Sequence, residues 1–226
     1  TCTTGLIGDD IAGVAKQLED ETGKLILFAE APGCSGVSQS KGHHVANTQF
    51  YRQFEYIRKI RPDMQMQEKD KTPYDVVLVG EYNIDWDSKV VLPLFEEIGM
   101  RVVTCFTGNA GITDLLKIPD AKLNIVHCQR SAEYIAEMIK KDYDIPFVRV
   151  SLFGIEQTSQ GLRKAAQFFG LEDRAEEVIA VHTARIKKAI DFYKEKLQGK
   201  TAAIYVGGPR VWHWIKILGE LGIDVV

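Results

Sequence analysis

The chain has 226 residues, 45% of them apolar and 26% charged. That length suits one or two domains of roughly 150 residues each, and the composition excludes a disordered chain, a collagen and a coiled coil. Twenty-eight Lys and Arg against 31 Asp and Glu give a net charge of −3, with no basic run, which argues against nucleic acid or a membrane surface as an electrostatic partner.

In chain order, Leu25–Ala31 predicts a short strand that ends at Pro32-Gly33, and residues 42–60 predict a helix with Val45, Phe50, Phe54 and Ile57 near helical spacing. Arg61–Thr72, polar and carrying Pro62, reads as a linker. Asp75–Tyr82 reads as a buried strand and Ser88–Ile98 as a helix closed by Gly99. Strand Arg101–Phe106, short helix Ile112–Leu116 and strand Leu123–Cys128 follow. Helix Ser131–Lys141 comes next, with Ser131 as its N-cap. Strand Phe147–Phe153 leads to helix Thr158–Phe169, closed by Gly170. A long amphipathic stretch covers Glu172–Leu197. Strand Ala202–Val206, helix Arg210–Leu221 and a last strand complete the chain. The apolar runs, such as Val76–Val79, fall far short of the roughly 20 residues of a membrane span.

Alternating strands and helices of this length predict an α/β fold: parallel sheets flanked by helices, in Rossmann-like domains. A weak repeat supports two such units. Val76-Val77-Leu78-Val79-Gly80-Glu81 is similar to Ala203-Ile204-Tyr205-Val206-Gly207-Gly208, and Glu97–Val103 is similar to Glu220–Val226. The expected division is a first segment over 1–72, a Rossmann-like domain over 73–200, and the start of a further one over 201–226. A chain that opens without Met and closes in a strand is expected to be a fragment. Ligands of such sheets sit at the carboxyl ends of the strands, which marks Tyr82, Phe106, Cys128 and Gly207-Gly208.

Four cysteines stand at 2, 34, 105 and 128 without a C-x-x-C pair, so free thiols in a reducing cytoplasm are expected. Four stretches concentrate chemistry. Cys2 precedes Gly5-Leu6-Ile7-Gly8-Asp9-Asp10, where Asp9 or Asp10 suits a helix cap. Gly33-Cys34-Ser35-Gly36-Val37-Ser38-Gln39-Ser40-Lys41-Gly42-His43-His44 is a polar loop with two histidines, one of them suited to proton donation. At Val126-His127-Cys128-Gln129-Arg130-Ser131 a thiol closes a strand as a helix starts, a place for a metal ligand, a nucleophile or a buried structural thiol. Gly207-Gly208-Pro209-Arg210 lets a ligand approach the backbone and sets an Arg at a helix start.

Together with Tyr82-Asn83-Ile84 and Leu123-Asn124-Ile125, these stretches resemble the alpha chain of nitrogenase component 1, in register along essentially the whole chain. The resemblance implies an oxidoreductase subunit that reduces dinitrogen to ammonia on an iron–sulfur cofactor of molybdenum, vanadium or iron-only type carrying an organic acid. Electrons would be relayed through a P cluster from an ATP-hydrolysing iron protein, with a beta subunit as partner in a heterotetramer. By the same resemblance Cys2 is a P-cluster thiolate, Gly33 a backbone neighbour of that cluster, and Cys128 the thiolate on the active-site cofactor. His43 is the proton-delivering histidine and Gln39 lies beside the organic acid. Gly207, Gly208 and Arg210 pack on the cofactor, with Ser131 and Tyr82 as neighbours. Both clusters would be completed by residues outside 1–226, so an isolated fragment is expected to be inactive. Phe168–Arg174 and Trp212-His213-Trp214 are nearer the vanadium and iron-only forms, and Cys34 stands where the family carries an aromatic residue. A related reductase of another substrate, or a scaffold for cofactor assembly, are the alternatives. The Gln39 and His43 pattern favours catalysis.

Overall fold

The computed structural model describes residues 3–33, 39–81, 86–205 and 211–226. Its chain order is α1 (Thr3–Leu6), α2 (Ile11–Thr22), α3 (Gln39–Ile60), β1 (Asp75–Glu81), α4 (Trp86–Ile98), β2 (Arg101–Thr107), α5 (Ile112–Leu115), β3 (Leu123–Val126), α6 (Gln129–Tyr143), β4 (Phe147–Arg149), α7 (Ile155–Phe169), α8 (Glu172–Leu197), β5 (Thr201–Ala202), α9 (Val211–Glu220) and β6 (Asp224–Val225). β2-β1-β3-β4 form one parallel sheet, and β5-β6 a separate parallel pair joined through α9. The α/β architecture expected from the sequence is present.

The period-two pattern of β1 explains the two layers of helices. Val77 and Val79 enter a core with Tyr51, Phe54 and Ile57 of α3 and with Ala132, Ile135, Ala136 and Ile139 of α6. Val76 and Leu78 enter the opposite core with Phe95 and Ile98 of α4, Leu162 and Ala165 of α7, and Ala175 and Val178 of α8. Each large aliphatic or aromatic side chain so buried contributes roughly 1.5–3 kcal/mol. Cys105 lies in this second core, as a small hydrophobe. On α3 the core face is Asn47, Tyr51, Phe54 and Ile57. Val45 and Phe50, at helical spacing with them, are half-buried.

Leu25–Ala31 is not a strand. Its backbone is bonded by side chains instead. Gln53 accepts from Phe28 N at 3.1 Å and donates to Phe28 O at 2.5 Å; Gln49 accepts from Glu30 N at 2.7 Å and donates to Glu30 O at 3.0 Å. Two amides four residues apart on α3 thus take the place of a neighbouring strand, satisfying a backbone that has no ladder. The other departures are at the ends of elements. β3 stops at Val126, β4 at Arg149 and β5 at Ala202, each shorter than its apolar run, because the following residues turn into helix starts or leave the sheet. Gly170 ends α7 in the left-handed conformation, as expected, and α8 covers the whole amphipathic stretch.

The segment 61–74 is fastened to the sheet by charge. The Asp75 carboxylate, fully buried, accepts from Arg101 Nε and Nη2 at 2.7 Å each, and from Thr72 N at 2.9 Å and Thr72 Oγ1 at 2.5 Å. Burial pushes this carboxyl up, but the Arg101 and Thr72 hydrogen bonds outweigh it and hold it below the ordinary carboxylate range. Its contribution is therefore present above about pH 4 and is lost as pH falls through its lower folded value. Asp75→Asn is expected to cost about 2–4 kcal/mol at pH 7, less than a fully buried pair because Arg101 is half-exposed. Urea unfolding from pH 7 to pH 3 checks this: the gap between variant and wild type should narrow towards pH 3, and a constant gap would refute the assignment.

Candidate functional site

The carboxyl edge of the sheet converges on the start of α6. Cys128 is the N-cap residue of α6, with no side-chain capping bond. The helix therefore begins two residues before the expected Ser131 cap, and the strand ends two residues before the expected Cys128. Ser131 is instead a buried residue of the first turn. Past Val126, His127 N still donates to Val79 O at 2.9 Å, and Cys128, the next residue, is half-buried and lines a cleft of about 240 Å³. His127, Arg130, Phe153, Trp212 and His213 line that cleft with it. The rings of His127, Phe153 and His213 stack in a row with centroids 5.0 and 4.9 Å apart, so α9 is joined to the end of β3 through a phenyl spacer.

Gly80 makes this placement possible, and the motif reading passed over it. Its φ is +92°, the strand register shifts across it between Val79 and Glu81, and a Cβ built on it would stand 2.8 Å from Cys128 N and 2.9 Å from Cys128 Cβ. A glycine inside an otherwise β-branched strand is the sequence signal for such a bulge and close approach.

His43 lies in the first half of α3 and is half-buried. The Tyr134 hydroxyl of α6 donates to His43 O at 3.0 Å, and the Tyr134 ring stacks on His44 at 3.9 Å. Burial pushes the Tyr134 hydroxyl up to about 12, so it is a hydrogen-bond donor throughout the neutral range. Tyr134 and Ser131 are three residues apart, as are Ser131 and Cys128, so one side of α6 carries the thiol and the support for the His43 backbone. Gln39 opens α3. Asp10 caps α2, accepting from Gly13 N at 2.8 Å, as expected. Gly33 is a bend residue, and the neighbouring Pro32 packs against Gly5, where a Cβ would meet Pro32 Cβ at 3.3 Å. The N-terminal turn and the 31–33 loop are therefore in contact. Cys2, Cys34, Tyr82, Gly207, Gly208 and Arg210 lie outside the described residues.

The donor set decides what metal group fits. Among the described residues no group of three or more His, Cys, Asp or Glu is placed to hold a single metal ion. What the site offers is one thiol, uncommitted to capping, at the positive end of a 15-residue helix and facing an open cleft. That suits a preassembled cluster held by a single thiolate, with Arg130, His127 and His213 as surrounding donors.

A doubly covered parallel sheet with a thiol at its carboxyl edge defines a Rossmann-like α/β protein. Residues 1–226 match the family model described as nitrogenase component 1 type oxidoreductase, and the chain belongs to that family. It is 49% identical over 227 residues to the nitrogenase molybdenum-iron protein alpha chain of Methanothermococcus thermolithotrophicus, covering 100% of this chain and 48% of that one. It is 40% identical over 228 residues to the nitrogenase iron-iron protein alpha chain of Rhodobacter capsulatus, covering 100% and 42%. The solved structure "Nitrogenase Cp1 at pH 5" superposes with a TM-score of 0.86 at 37% identity, covering 100% of this chain and 44% of that chain. The chain spans about half the length of the curated relatives it matches. Among the described residues no helix is long and apolar enough to cross a membrane.

Proposed function

We propose that the protein carrying this chain is the alpha subunit of a cytoplasmic nitrogenase component 1, reducing dinitrogen to ammonia with a beta subunit and an ATP-hydrolysing iron protein as partners. The observation that carries this reading is Cys128, a thiol set free of capping duty at a helix start and lining a cleft where, among the described residues, no group of three or more His, Cys, Asp or Glu is placed to hold a single metal ion. In this reading 1–72 is a segment that carries Cys2, Gly33 and the Gln39–His43 start of α3 to the clusters, 73–200 is the domain that presents Cys128, and 201–226 opens a further domain. The contact of Gly5 with Pro32 supports placing Cys2 and Gly33 beside one P cluster. When bound, the iron–sulfur cofactor supplies electrons one at a time to a small inert substrate.

The chain's own residues hold and orient. Cys128 anchors the cofactor. His43, fixed through its carbonyl by Tyr134, presents its imidazole for proton delivery. Arg210, Gly207 and Gly208 pack on the cofactor, Gln39 lies beside its organic acid, and Ser131 and Tyr82 stand next to it. Whole-chain identity does not rank the metal forms: it is 49% to one molybdenum-iron relative, 40% to the iron-iron relative and 40% and 37% to two further molybdenum-iron relatives, so the cofactor is proposed as of molybdenum, vanadium or iron-only type.

Metal analysis and EPR of the full-length protein, purified without oxygen from its source, test the reading. Molybdenum or vanadium with abundant iron and a half-integer cofactor signal is the expected result. High iron without a heterometal would move the assignment to an iron-only enzyme or a reductase of another substrate. Iron in simple clusters alone would overturn it in favour of a cofactor-assembly scaffold.

A further inference from the structure

We propose that a second pocket, between the end of β4, one face of α7 and one face of α9, binds a small, multiply charged oxyanion through Gln157, Lys164 and Lys216. The pocket encloses about 220 Å³. Arg149, Lys164 and Lys216 supply cations to its wall, Gln129, Gln157 and Gln160 supply amides, and none of the described residues lining it is acidic. In a chain with more acidic than basic residues, a wall of that kind is a local reversal of charge.

Its construction follows from helix periodicity. Gln157, Gln160, Gly161 and Lys164 recur at intervals of three and four on α7, and Trp212 and Lys216 are four apart on α9, so each helix turns one polar and cationic stripe towards the other. The two helices are pinned by Glu220 of α9, whose carboxylate accepts from Ile155 N at 2.9 Å and from Glu156 N at 3.0 Å. That bond satisfies the first turn of α7 and fixes the spacing of the pocket walls.

The pocket floor carries an unanswered donor. Gln157 is 6% exposed, and its Oε1 is 3.3 Å from His213 Nδ1, which also lies 2.9 Å from Ser151 Oγ. Gln157 Nε2 is buried and has no hydrogen-bond acceptor among the described residues. A buried amide nitrogen without an acceptor costs about 1–3 kcal/mol, a cost that a ligand oxygen would remove. Above it, Lys164 and Lys216 form no ion pair with a carboxylate among the described residues, whereas Arg149 is already engaged by both oxygens of Glu133. One buried donor and two unengaged ammonium groups match a tetrahedral oxyanion or a short polycarboxylate, held by charge-assisted hydrogen bonds.

This pocket is not the Cys128 cleft. Gln129, Trp212 and His213 line both and form the wall between them, while Cys128 lines only the cleft and Lys164 and Lys216 line only the pocket. Oxyanion binding here therefore does not depend on the cofactor assignment.

The test is calorimetric titration of the full-length assembled protein with inorganic phosphate, at ionic strength held constant with chloride. Saturable binding is expected, weakened at least about tenfold by Lys164→Met combined with Lys216→Met, and weakened also by Gln157→Leu. These lysines are exposed, so their replacement leaves the fold and the metal content unchanged. ADP and citrate are titrated in parallel. Tighter binding of ADP that displaces phosphate assigns the site to a nucleotide phosphate, and tighter citrate binding assigns it to a free polycarboxylate. The proposal is overturned if none of the three anions binds saturably, or if binding is the same in the double-lysine variant.

Discussion

Replacing Cys128 with Ala in the full-length protein is expected to remove the active-site cofactor while leaving the fold in place. The two halves of that expectation come from separate observations. Cys128 caps nothing with its side chain and is only half-buried, so losing its sulfur should change stability by less than about 1 kcal/mol. It is the single thiol lining the cleft among the described residues, so its loss leaves no second thiolate there. Outer-shell changes around bound metals already cost 10–100-fold, and loss of the anchoring thiolate should cost more than about a hundredfold in substrate reduction. Heterometal content, the cofactor EPR signal and the unfolding midpoint should be measured together. A variant that keeps its cofactor signal would end the role assigned to Cys128; a variant that unfolds would show that the thiol is structural.

Gly80→Ala is expected to do the reverse, damaging fold and site at once. The residue sits at φ +92°, where any Cβ is strained by about 1–2 kcal/mol. The methyl group would also meet Cys128 N at 2.8 Å and Ala132 Cβ at 3.0 Å. The first of these atoms is backbone and cannot swing aside, so β1 and the start of α6 must separate. Overpacking of this kind adds about 1–3 kcal/mol, for a total of about 2–5 kcal/mol. Because the displaced atom belongs to the proposed ligand residue, cofactor content should fall even in the folded fraction. A midpoint within error of wild type in thermal unfolding would show that the strand relaxes freely, and the bulge would then carry no positioning role.

The two variants also show what the amino-acid pattern discloses and what it hides. β1 could be read almost to the residue because Val76-Val77-Leu78-Val79 is buried on both sides and needs no knowledge of its neighbours. The same logic fails at Leu25–Ala31, an apolar run of strand length whose partners are Gln49 and Gln53 side chains: nothing local distinguishes an amide from a strand as a source of hydrogen bonds. Ser131 is a good cap by residue type, but the chain turns into helix as soon as it clears the sheet, so the thiol takes the capping position and the serine is buried. Cys128 and His43 stood out as chemistry-bearing residues in the sequence, while their shared dependence on α6, through the N-cap position and through Tyr134, is a product of packing over 91 residues of separation. Gly80 carried a usable signal, a glycine within a β-branched run, but its target two strands away in sequence did not.

The α3–α6 junction has a consequence for the protein's tolerance of alkali. Besides Tyr134, two more phenols cross this junction: Tyr51 donates to Asp142 at 2.7 Å, and Tyr143 donates to Glu55. Burial, reinforced by the neighbouring carboxylates, pushes the Tyr51 and Tyr143 hydroxyls far above the ordinary phenol range. A proton held more tightly in the folded state than in the unfolded one stabilises fully below about pH 10, and that contribution drains away as pH rises further. Three such phenols on one helix pair are expected to make this junction base-labile. A pH titration followed at the tyrosinate absorbance band should show these groups ionising together with unfolding rather than before it, with the backbone around His43 among the first regions to exchange its amide protons.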